Sequence, residues 1–116
     1  MNMFVDMPGA SGAHYRFRRV DVGALPAMAG NLIVVQPSDS DPILLVCMPA
    51  PSLSAARDLV MTALRLNPGA LLYVRLNVAR AVREAEHADI IAAATASGQD
   101  LARKGGAPMA RETTAV

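Results

Sequence analysis

The chain has 116 residues, a length that favours one domain, and its 53% hydrophobic content is enough for a core without disulfides. A formal net charge of +1 excludes a strongly basic or acidic protein whose overall charge alone selects its partner. Aromatic residues are only 3%, so aliphatic packing must dominate, and the single Cys47 excludes an intramolecular disulfide or a cysteine-rich metal centre.

No run approaches the ~18 consecutive apolar residues of a membrane span. The opening MNMFVDMPGASG lacks the basic-then-apolar order of a signal peptide, so a cytoplasmic protein with no membrane partner is expected. Residues 1–13 end in Pro8, Gly9, Ser11 and Gly12 and read as a flexible arm; the domain is expected over 14–96. HYRFRRVDV alternates, with Tyr15 and Phe17 on one face and Arg16 and Arg18 on the other, which fits a half-buried peripheral strand. After the turn GALPAMAG, the apolar runs NLIVVQP and PILLVCMP read as strands of a hairpin joined by SDSD. Their nearly continuous apolar character predicts cover on both faces. Cys47, inside the second run, reads as a small buried hydrophobe rather than a reactive thiol.

Ser52 is placed to cap a helix over residues 53–66. Leu53, Ala56, Val60, Ala63 and Leu64 form its apolar stripe, with Arg57, Asp58, Thr62 and Arg65 mainly on or beside the other face. NPG at 67–69 stops it, ALLYVRL follows as a strand, and Asn77 can cap a second helix over about 78–95. Residues 97–116 have no apolar period and read as a flexible tail with one short helical turn around Leu101. The fold class is α/β of the α+β kind: a small, mostly antiparallel sheet in the order β-β-β-α-β-α, flanked by helices.

On the second helix Val78, Ala81, Val82, Ala85, Ala88 and Ala92 share one arc, the one expected to face the core. Asp89 falls inside that arc and Glu86 on its edge. Arg80 with Glu84 and Arg83 with Glu86 make helical pairs on the solvent side or flank. A buried carboxylate is costly unless paired or hydrogen-bonded. Asp89 is therefore expected to be structural, accepting backbone N–H bonds from a turn or meeting Arg16, Arg18 or Arg75. A metal or proton-transfer site shared with Glu86 is the functional alternative. Tyr15 and Tyr73 lie in strand patterns, and His14 and His87 are too far apart in sequence to suggest a shared site. There is no glycine-rich phosphate loop, G-x-S-x-G, H-E-x-x-H or C-x-x-C.

Taken together, AGNLIVV, PILLVCM, LYVRLN and REAEHADII, within residues 25–94, resemble a GIY-YIG nuclease-type domain. The last segment is similar to small bacterial relatives whose final helix reads R-x-x-E-E-A-D-L-I, which puts Arg83, Glu86 and Asp89 on matching positions. The resemblance implies two motif strands in a hairpin, a helix, a third strand and another helix. It also implies metal-dependent phosphodiester hydrolysis, with a tyrosine near the attacking water, an arginine on the first helix and a later metal-binding glutamate. The phosphate arginine then falls near Ala56 or Arg57, depending on a one-residue gap, which makes Arg57 its candidate, and Glu86 is the candidate metal ligand. The motif tyrosines are replaced, by Leu32 after Gly30 and Asn31, and by Leu44 or Leu45 before Val46 or Cys47. Leucine can neither orient nor deprotonate a water.

The expectation is a catalytically inactive GIY-YIG-like domain without a cofactor, binding nucleic acid or a protein. Arg16, Arg18, Arg19, Arg57, Arg75, Arg80 and Arg83 would contact phosphates if several share a face. Two alternatives stay open. One is a residual endonuclease on Glu86 and Arg57 with Mg²⁺ or Mn²⁺. The other is a structural or regulatory protein that self-associates as a homodimer through an apolar strand edge.

Overall fold

Strand formation starts earlier in the chain than expected. In the computed structural model, which describes residues 3–39 and 41–98, Phe4–Pro8 form β1 and pair antiparallel with β2, His14–Arg19. The flexible arm predicted over 1–13 is corrected: its Phe4-Val5-Asp6-Met7 stretch alternates, with Val5 and Met7 turned inward. That pattern is short, and the Pro8–Gly12 cluster beside it is a tight turn rather than a release from structure. Gly9 N–H donates to the Ala13 carbonyl at 2.8 Å, and Gly12 closes the turn at φ +94°. The expected tail lies outside the described residues from position 99 onward.

Three further strands complete the sheet: β3 Gly30–Gln36, β4 Ile43–Ala50 and β5 Leu71–Leu76. The order is β1-β2-β5-β3-β4 and every neighbouring pair is antiparallel. The fold class is the expected small antiparallel sheet with two helices, with one strand added in front of the expected order.

Period-two alternation sends the apolar residues of β3, β4 and β5 to two separate cores. Leu32 and Val34 of β3, Val46 of β4, and Leu72 and Val74 of β5 pack with Leu53, Val60 and Ala63. Ile33, Val35, Leu44, Cys47, Phe17 and Tyr73 pack on the opposite face with Ile90 and Ala94. Each fully buried aliphatic side chain contributes about 1.5–3 kcal/mol. A register shift between Val34 and Val35, where Val34 pairs with Val46 but Val35 with Leu44, keeps Leu44 on the second face. The sheet is thus the middle layer, with one helix on each side, as the continuous apolar runs of β3 and β4 require.

The first helix, α1, spans Arg57–Leu66 and is preceded by a 3-10 turn at Leu53–Ala56. Ser52 does not cap it; the Ser52 hydroxyl meets that of Ser54 at 3.1 Å. The exposed N–H groups are instead satisfied by the preceding loop: Leu53 donates to Met28 and Ser54 to Pro26 carbonyls. Of the predicted stripe, Leu53, Ala56, Val60 and Ala63 are buried and Leu64 is half-buried against the same core.

The second helix, α2, spans Arg80–Ala96, and here the expected face is wrong. Arg83, Ile90 and Ala94 are buried and His87 is half-buried, whereas Val78, Ala81, Val82, Ala85 and Ala92 are exposed. Burying Ile90 removes more apolar surface from water than burying alanines, and each polar group on the inward side finds a partner. Asn77 does not cap this helix; its side chain points into the network described next.

Candidate functional site

Where β3 begins, β5 ends and α2 begins, five polar side chains share one network. Gly30 permits it: a Cβ there would overlap the Arg75 carbonyl on the neighbouring strand. The Arg75 guanidinium grips Glu86 with both ends, Nε to Oε1 at 2.8 Å and Nη2 to Oε2 at 3.3 Å. Asn77 Nδ2 donates to Glu86 Oε1 at 2.9 Å and to Asn31 Oδ1 at 3.1 Å. Asn31, 1% exposed, donates in turn to the Arg83 carbonyl at 3.0 Å. Arg83, expected on the solvent side or flank, is 7% exposed and donates to the Asn77 and Val78 carbonyls, tying the helix start to its own lead-in. Every member has a partner, which is the condition for burying such a group.

These donors do not fit a metal site. Both Glu86 oxygens are engaged by cationic or amide N–H groups, and among the described residues no cluster of three His, Cys, Asp or Glu side chains could hold an ion. Arg57, exposed at the start of α1, lies on the other side of the sheet from Glu86, because α1 and α2 pack on opposite faces. The positions of the nuclease motif tyrosines are filled by core: Leu32 is 0% and Leu44 3% exposed, and Leu45 packs against the α1 core.

Asp89 sits on the flank of α2 and anchors the β1–β2 turn. Its carboxylate accepts from the Ser11 N–H at 2.9 Å, the Ser11 hydroxyl at 2.6 Å and the Tyr15 hydroxyl at 2.7 Å. The backbone adds a further tie, Ala10 N–H to the Asp89 carbonyl at 3.1 Å. The Ser11 and then the Tyr15 hydrogen bonds hold this carboxyl below the usual carboxylate range, and the same Asp89 contact pushes the Tyr15 phenol up. Gly9 is needed beside it, since a Cβ there would overlap the carboxylate. None of Arg16, Arg18 or Arg75 reaches Asp89; the turn supplies the donors instead.

Cys47 and His87 meet between β4 and α2, with Sγ and Nδ1 3.5 Å apart. Burial pushes the thiol up to about 12 and lowers the imidazole. Both groups are therefore held neutral, so this is a packed contact and not an activated thiolate. Tyr73 is 4% exposed within the same core, while His14 is exposed on β2.

The basic candidates do not gather on one face. Arg75 and Arg83 belong to the network, Arg80 pairs with Glu84 at 3.1 Å, and Arg19 is half-buried on the α2 side of β2. Arg16 and Arg18 do share a surface. On the α1 side of the sheet, Phe4, Asp6 and Pro8 of β1 and His14, Arg16 and Arg18 of β2 are all exposed. Arg16 pairs with Asp6 at 2.9 Å and lies over the Phe4 ring, 5.4 Å from its centroid. Arg18 stands opposite Phe4 on one side and Val74 on the other, with no acid across from it. Sequence reasoning missed Phe4, Asp6, Gly9 and Ser11 because they fell in the presumed arm; the 4–7 alternation was the available signal.

A second surface runs along α2, where an open groove of about 760 Å³ is lined by Tyr15, Val82, Ala85, Ala88 and Asp89 among others. No helix of the described residues is long and apolar enough to cross a membrane. Comparison with known proteins gives no match to a family model, a curated protein or a solved structure.

Proposed function

We propose that this chain is a non-catalytic binding domain that holds nucleic acid on the outer face of β1 and β2. The observation that carries the reading is a sheet face left uncovered by either helix, on which Arg16 and Arg18 stand beside an exposed phenylalanine. Arg18 offers its charge to a phosphate, and Phe4 offers an aromatic surface at the same place. The nuclease alternative on Glu86 and Arg57 is disfavoured, since Glu86 is held by Arg75 and Arg57 is across the sheet. The GIY-YIG resemblance enters this proposal only as a scaffold without its chemistry.

Fluorescence anisotropy of labelled DNA and RNA, single- and double-stranded, at low and high salt, tests the reading. Binding should weaken as salt rises and weaken again in Arg18→Ala. No binding of any probe at low salt, up to high micromolar protein, refutes it.

A second reading, a protein partner or a homodimer, is favoured by exposed valines at the start of α2, where Val82 is 46% exposed, and just before it, where Val78 is 75% exposed. Sedimentation showing concentration-dependent dimers, together with no nucleic-acid binding, would favour that reading over the first.

A further inference from the structure

The β1–β2 face is two strands wide, is covered by neither helix, and carries one exposed aromatic ring beside two arginines. What it offers is a planar stack. The Arg16 guanidinium lies over the Phe4 ring, and Phe4 keeps 47% of its surface exposed. Arg18 lies directly across from Phe4, and Leu76, 49% exposed, lies farther along the same side of the neighbouring strand. Neighbouring strands are ~4.8 Å apart, so a base on the stack leaves its own phosphate within reach of an arginine side chain.

Resting on the function proposed above, we infer that the ligand of this face is an unpaired single strand, with one base stacked on the Phe4–Arg16 pair and its phosphate on Arg18. Paired bases are already stacked on their neighbours and present only edges and phosphates, whereas an unpaired base brings a free π-face. Asp6 restrains the site. It neutralises Arg16 at 2.9 Å, so one arginine, Arg18, carries the surplus charge toward the ligand. The site is then a weak, stacking-led one, and removing Asp6 releases a second cation to it.

The test is anisotropy with a single-stranded oligonucleotide and its duplex, using the full chain, at several salt concentrations. The wild type should prefer the single strand, with a log–log salt slope of about −0.7 for one phosphate contact. Phe4→Leu should lose about tenfold on the single strand and little on the duplex, while Phe4→Trp retains or tightens binding. Asp6→Asn should tighten single-strand binding and steepen the slope to about −1.4, an effect a purely structural ion pair would not produce. Thermal melts of each variant check that the edge strand stays in place. Equal affinity for single strand and duplex, or a silent Phe4→Leu, overturns the inference while leaving the proposed nucleic-acid function standing. Absence of binding to any probe at low salt overturns both.

Discussion

Truncating Ile90 to alanine tests the orientation of α2 directly. Ile90 is 1% exposed and belongs to the core formed by Phe17, Ile33, Val35, Leu44, Cys47, Tyr73 and Ala94. The substitution removes three carbons, each worth about 0.8 kcal/mol on burial, and the unfilled space adds about 1 kcal/mol, for a total of about 3–4 kcal/mol. Val82, on the face that the alanine arc would have buried, is 46% exposed. Val82→Ala should cost less than about 1 kcal/mol, since little apolar surface is lost and alanine is the better helix former. The chain has no tryptophan, so unfolding is best followed by far-UV circular dichroism in urea, at low micromolar protein. Ile90→Ala should also lower Tm by about 10–20 °C. Equal costs for the two variants, or a cost below about 1 kcal/mol for Ile90→Ala, would mean that α2 does not sit with Ile90 inward.

Three further outcomes follow from the titratable groups and the turn. Gly9→Ala forces a Cβ into the Asp89 carboxylate and should lower Tm. Asp89→Asn should also lower Tm at neutral pH, and because the folded-state pKa is depressed, its gap from wild type should close as pH falls below 3.8; a gap that persists in acid would refute the carboxylate's role. His87 is likewise depressed in the fold, from an ordinary 6.5, so its neutral form is the stable one. Its contribution is complete above pH 6.5 and is lost as pH falls through the folded value. Urea melts from neutral to mildly acidic pH should therefore show a stability loss that His87→Gln reduces; an unchanged loss in that variant would place its origin elsewhere.

β2 to β5 and α1 were legible in the sequence because their signals are local, whereas β1 was read as an arm because its alternation spans only Phe4 to Met7. β3 and β4 each carry a nearly continuous apolar run with β-branched residues, which specifies a strand with cover on both faces, and the 3–4 spacing from Leu53 to Ala63 fixes the inner side of α1. The Asn67-Pro68-Gly69 stop worked for the same reason, with Gly69 at φ +89°. α2 was different. Its alanine arc is geometrically tidy, but alanine has little surface to bury, so periodicity could not rank it against the face that carries Ile90.

Partners distant in sequence settled the rest. Asp89 was marked by sequence as a carboxylate needing donors, but Ser11 and Tyr15 lie 78 and 74 residues away, and the Gly9 that admits them has no local signature beyond a turn. The same holds for Glu86, whose reading as a metal ligand gave way once Arg75 and Asn77 were found against it. Residue type and period thus determined most of the strands and helices, β1 excepted, because those depend on near neighbours along the chain. Which face of α2 is inward, which carboxylates are already satisfied, and which sheet surface stays uncovered were decided only by tertiary packing, where burial and hydrogen-bond satisfaction are settled between segments at once.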